Sequence, residues 1–131
     1  MILIDTTVWV DYFNGYTTAE TDYLDLILGL EDVIVGDIIL GEVLQGFRKD
    51  TDFEQAKEKL GRFTQVSMLN PQLAIRSALN YRFLRKKGIT VRKTIDCFIA
   101  TYCIETGLVL LHSDHDFDPF ENHLRLKVVH P

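Results

Sequence analysis

The chain has 131 residues, 47% hydrophobic and 25% charged, the make-up of an ordinary globular protein, and one domain is expected over residues 1–131. Fourteen Lys and Arg against 19 Asp and Glu give a net charge of −5, which argues against broad, unspecific phosphate binding but leaves room for a local basic rim. No apolar run reaches membrane-spanning length and no charged-then-apolar leader is apparent, so a cytoplasmic protein is expected.

The apolar run at residues 1–4 breaks off at Asp5, Thr6 and Thr7, the pattern of a buried strand entering a helix. Asp5 there suits a helix N-cap as well as a ligand site at the carboxyl edge of a sheet. Trp9, Tyr12, Phe13 and Tyr16 recur at helical spacing, a stripe expected to pack inward with its outer part free for a partner. A second helix is predicted over residues 19–30 and a second strand over 33–35, closed by Gly36. Asp37 is placed to cap a helix with an Ile39, Leu40, Val43, Leu44, Phe47 stripe, and Glu42 lies at the margin of that stripe. A helix over 52–64 and a strand over 66–69 follow, and Pro71 starts a helix that ends on Gly88. Thr94 is expected to cap a helix whose Ile95, Phe98, Ile99, Tyr102 and Cys103 face inward. Its Cys97 and Cys103, six apart, turn away from a common face and read as buried thiols. Residues 108–111 form a buried strand and 126–129 a last one at an edge.

Apolar strands alternating with helices predict a three-layer α/β/α sandwich around a mainly parallel sheet of about five strands. Right-handed crossovers then bring Asp5, Glu42, Asp96 and Asp114 to one edge of that sheet. Each acid has an ordinary use: a cap for Asp5, a complement to the helix dipole for Asp96, a solvated helix face for Glu42, turns for Asp114, Asp116 and Asp118. Their convergence points elsewhere, because carboxylates about 4 Å apart repel by about 4 kcal/mol at an effective dielectric of 20. Such a cluster must retain a proton or bind a cation. Oxygen donors select Mg²⁺ or Mn²⁺ over zinc, and His112 and His115 complete no zinc set.

Four segments carry a resemblance. Ile4-Asp5-Thr6-Thr7-Val8-Trp9, Glu42-Val43-Leu44-Gln45-Gly46, Arg92-Lys93-Thr94-Ile95-Asp96-Cys97-Phe98-Ile99-Ala100 and His112-Ser113-Asp114-His115-Asp116-Phe117 resemble the ordered motifs of PIN-domain nucleases. More narrowly, they resemble VapC-type toxins of toxin–antitoxin modules. The resemblance implies an acidic metal site of Asp5, Glu42, Asp96 and Asp114, with Asp116 secondary and Thr6 as hydrogen-bonding support. It also implies Mg²⁺- or Mn²⁺-dependent cleavage of RNA phosphodiesters, homodimer formation and inhibition by an antitoxin. His115 departs from the Arg or Lys that family members often carry between the last two acids.

Six of the 14 Lys and Arg residues fall within residues 82–93 and run directly into Asp96. Arg85, Lys86, Arg92 and Lys93 are therefore RNA-contact candidates, against the alternative that they complement a helix dipole. Three other readings compete. An aspartate-nucleophile phosphatase would need a second acid where Thr7 stands. A housekeeping RNA-processing nuclease and a non-catalytic fold that binds a partner share the same motifs.

Overall fold

The two central strands are apolar on both faces, and this sets the architecture. In the computed structural model, which describes residues 1–131, β1 (Ile2–Ile4) and β2 (Val33–Gly36) are buried at every position. Such strands need a covering layer on each side. The sheet is parallel, in the order β3-β2-β1-β4, with β3 at Thr64–Val66 and β4 at Val109–Leu111.

Helices α1 (Thr6–Phe13) and α2 (Ala19–Ile27) connect β1 to β2, and α3 (Asp37–Gln45) and α4 (Asp50–Gly61) connect β2 to β3. The chain then returns through α5 (Pro71–Lys86) and α6 (Thr94–Thr106) to β4, on the far side of β1. Progression across the sheet thus reverses between β1 and β4. Right-handed crossovers put the first four helices on one face and α5 and α6 on the other. The carboxyl ends of β1 and β4 flank the crevice where open α/β sheets bind ligands. A 3₁₀ turn (His115–Phe117) and α7 (Asp118–Leu124) follow. No helix is long and apolar enough to cross a membrane.

The differences from expectation have local causes. The sheet has four strands; the segment expected as a fifth makes only one bridge, Leu110 with Val128, at the outer edge of β4. β3 lies at residues 64–66 rather than 66–69, because Thr64 and Gln65 form an exposed edge that apolar patterning does not detect. Met68, beyond it, is buried against Gly36, where a Cβ would run into the Met68 sulfur. Asp37 and Thr94 are first helical residues rather than caps. Asp37 Oδ1 instead accepts from the Met68 N–H (3.0 Å), tying the start of α3 to the exit of β3. Trp9 is fully buried, stacked on Phe13 and edge-on to Tyr12, so of the aromatic stripe only Tyr16, 61% exposed, stands clear in solvent.

Helix α6 differs most. Ile95 is 39% exposed, and the inward row is instead Asp96, Ile99, Ala100 and Cys103. Cys97 and Thr101 are buried too, since α6 lies between the sheet and α5. A carboxylate occupies a core position.

Candidate metal centre

Asp5 is held by the strand behind it and the helix ahead. Its N–H donates to the Leu111 carbonyl of β4 (2.9 Å), which fixes it at the reversal point of the sheet. Its Oδ2 caps α1, accepting from the Thr7 N–H (3.1 Å) and Thr7 Oγ1 (2.7 Å). Thr7 Oγ1 also accepts from the Ser113 N–H (3.1 Å) and so links the loops after β1 and β4. Capping and a place in the acidic cluster are therefore compatible for Asp5. Apolar patterning does not single out Thr7; the Asp-x-Thr spacing at a helix start is the signal that could have found it.

Glu42 sits in the second turn of α3, half-buried, and its Oε1 accepts from Thr6 Oγ1 (2.8 Å). That bond joins α1 to α3 and limits the rotamers open to Glu42. Asp114 opens the 3₁₀ turn by accepting the Asp116 N–H on Oδ1 (2.9 Å). The turn brings Asp116 back beside it. Asp96, Asp114 and Asp116 can each offer an oxygen within 4.8 Å of the others. Asp116, secondary by sequence, thus belongs to the tightest trio, while Asp5 and Glu42 stand outside it.

The acids feel one another. Burial, then the Asp5 charge, lifts the Asp96 pKa to about 7, with Asp114 and Glu42 adding to the rise and Lys93 opposing it. Burial, helped by Glu42 and countered by the Thr7 bonds, lifts Asp5 to about 6. Asp96 Oδ2 is buried with no hydrogen-bond partner at all.

Two cations close the mouth. Lys93 Nζ is 3.6 Å from Asp114 Oδ2, and Arg92 Nη2 is 3.4 Å from Asp116 Oδ1. Asp96, then Asp114, raises the Lys93 pKa. Arg85 and Lys86, at the end of α5, are exposed and make no ion pair with an acid. The histidines provide no zinc set. His112 Nδ1 accepts from the Asp114 N–H (3.1 Å), and burial lowers the His112 pKa, so the neutral ring braces the loop. His115 is fully exposed and lies 2.9 Å from Asp118.

An orphaned carboxylate oxygen, two acids pushed toward neutrality and an all-oxygen donor set fit a hard divalent cation. At 4.8 Å, an uncompensated pair of these charges repels by about 3 kcal/mol at an effective dielectric of 20.

Comparison with known proteins agrees with this fold. The family model for the PIN domain matches residues 2–121, and the chain belongs to the PIN domain family. Within it, the chain is 31% identical over 121 residues to the ribonuclease VapC11 of Mycobacterium tuberculosis and to the VapC ribonuclease Mb1587 of Mycobacterium bovis, covering 90% of each chain. Its fold is similar to VapBC2 of Rickettsia felis bound to a promoter DNA fragment, with a TM-score of 0.78 at 18% identity and 98% of each chain covered. It is also similar to a toxin–antitoxin complex of Klebsiella pneumoniae, with a TM-score of 0.71 at 20% identity and coverage of 100% and 98%.

Proposed function

We propose that the chain, one functional unit over residues 1–131, is a divalent-metal-dependent endoribonuclease and the toxin of a toxin–antitoxin pair. One observation carries this reading: the buried, unpartnered Asp96 oxygen lies among acids drawn from three other segments of the chain. Similarity at 31% to proteins named as VapC ribonucleases supports RNA as the substrate. Fold likeness to toxin–antitoxin complexes supports a cognate antitoxin protein as the partner. The same reading has the protein in the cytoplasm as a homodimer.

Asp96, Asp114 and Asp116 would hold the ion, with Asp5 and Glu42 completing the acidic set. Mg²⁺ or Mn²⁺ bound there supplies a water of lowered pKa and neutralises charge on the phosphate. Thr6 holds Glu42 in place and Thr7 holds Asp5, so the cluster is organised before substrate arrives. A carboxylate of the set not bound to the ion can take the proton of the attacking water. Lys93 and Arg92 at the mouth draw phosphate oxygens toward the acids.

The test is to digest RNA with the purified chain in Mg²⁺ and characterise the new ends. Attack by water leaves a 5′-phosphate and a 3′-hydroxyl; a 2′,3′-cyclic phosphate would mean that the ribose hydroxyl attacks instead. A second expectation concerns the basic rim. Neutralising Arg85, Lys86, Arg92 and Lys93 together should flatten the salt dependence of RNA binding. The log–log slope should fall by about 0.7 for each phosphate of a single strand that is no longer neutralised. An unchanged slope in a filter-binding titration would return these residues to a helix-dipole role.

A further inference from the structure

The loop that carries Asp114 commits its backbone N–H groups one by one. The Ser113 N–H donates to Thr7 Oγ1 (3.1 Å), the Asp116 N–H to Asp114 Oδ1 (2.9 Å) and the Phe117 N–H to the Asp114 carbonyl (3.1 Å). The Asp114 N–H turns back to the ring of His112, two residues earlier, and donates to Nδ1 (3.1 Å). An Asn or Asp would close such a turn with its side-chain oxygen, forming an Asx turn; here an imidazole nitrogen takes that part.

The ring gives up stability to do so. A neutral imidazole that accepts at Nδ1 carries its proton on Nε2, and His112 Nε2 is buried with no hydrogen-bond partner. A buried donor left unpaired destabilises the fold. The ring also rests against the fully buried Phe117, with centroids 4.9 Å apart, so it reaches water only by leaving that contact. What the arrangement gains lies on the Nδ1 side. Asp114 Oδ1 is bound to the Asp116 N–H, so fixing the Asp114 peptide at its other end fixes the carboxylate between the two. That carboxylate is the one that meets Asp96 and Asp116. Lys93, which approaches Asp114 Oδ2 at 3.6 Å, is 62% exposed and free to follow the acid rather than hold it.

We infer that His112 is a positioning residue: its Nδ1 fixes the Asp114 peptide, and the divalent-ion affinity of the acidic trio depends on this one acceptor rather than on the packing of the ring. The inference rests on the metal-centre reading above and adds to it a residue that binds no ion itself. Removing an outer partner that orients a metal ligand weakens metal binding by roughly 10–100-fold.

The test separates acceptor from packing with two variants of similar shape. Asn and Leu both branch at Cγ, and both lack the edge of the ring that carries Nε2. His112→Asn keeps an acceptor for the Asp114 N–H but gives up apolar contact with Phe117, whereas His112→Leu keeps the contact and loses the acceptor. Mn²⁺ affinity is read from the free-ion signal in electron paramagnetic resonance titrations, beside metal-free melting temperatures. His112→Asn should bind Mn²⁺ nearly as the wild-type chain does. His112→Leu should bind about tenfold or more weakly, and need correspondingly more Mn²⁺ for half-maximal RNA cleavage, while melting no lower than His112→Asn. A second measurement needs no variant. Long-range proton–nitrogen NMR of the metal-free wild-type chain at neutral pH should show His112 protonated on Nε2 and bare at Nδ1. Equal Mn²⁺ affinities in the two variants, affinities that follow the melting temperatures, or a proton on Nδ1 overturn the positioning role alone. Mn²⁺ binding that is absent from the wild-type chain, or unchanged in Asp96→Asn, overturns the metal-centre reading and the positioning role together.

Discussion

Replacing Asp96 with Asn is expected to lower RNA cleavage by roughly 10³-fold or more, a loss of about 4 kcal/mol in transition-state stabilisation. The same change should make the metal-free protein more stable at neutral and alkaline pH. The sign follows from the acids themselves. Asp96 is lifted from the ordinary carboxylate range to about 7 and Asp5 to about 6, so the fold favours their protonated forms. Their contribution to stability is full below about pH 4, where both folded and unfolded chains are protonated, and is lost as pH rises through 6 and 7. The metal-free wild-type protein should therefore melt lower at pH 8 than at pH 5, and Asp96→Asn should flatten that profile. A rise of about three pKa units corresponds to about 4 kcal/mol, which Asp5 and Asp96 share because each repels the other. Asp5→Asn should behave alike, since Asn keeps an oxygen that can cap α1. Circular dichroism melts across pH decide it. A lower metal-free melting temperature for Asp96→Asn would mark Asp96 as a purely structural residue.

Removing divalent metal should abolish cleavage, and Mg²⁺ or Mn²⁺ should restore it where Zn²⁺ does not. The donor set is oxygen only, and such sites favour hard ions. Metal should also stabilise the fold, by about 2.7 kcal/mol at a concentration 100 times the dissociation constant, because the ion relieves repulsion present only in the folded state. The stabilisation should disappear in Asp96→Asn. Cleavage that survives exhaustive chelation would sink the mechanism while leaving the fold assignment untouched.

What the sequence made legible, and what it did not, follows from where the signals lie. The strands at residues 2–4 and 33–36 are apolar throughout and were readable, because burial on both faces leaves no alternation to misread. β3 was displaced because an edge strand with Thr64 and Gln65 in solvent carries no apolar run. The register of α6 was the more instructive miss. Apolar periodicity nominated Ile95 for the interior, whereas the inward position belongs to Asp96. Local patterning fails where a carboxyl group takes an inward position. Asp5 and Asp114 are legible from topology as well as from their motifs, since they follow the two strands between which the sheet reverses. Topology could not show that Asp116 folds back beside Asp114, which depends on a 3₁₀ turn only three residues long. Nor could it show that Arg92 and Lys93 face those acids.

The most direct test of the central claim is an anomalous-scattering map from crystals of the chain grown with Mn²⁺. The predicted result is one strong peak coordinated by carboxylate oxygens of Asp96 and Asp114, with Asp116, Asp5 or Glu42 contributing directly or through water. A map in which Asp96 remains unligated while Mn²⁺ binds elsewhere, or not at all, would contradict the account.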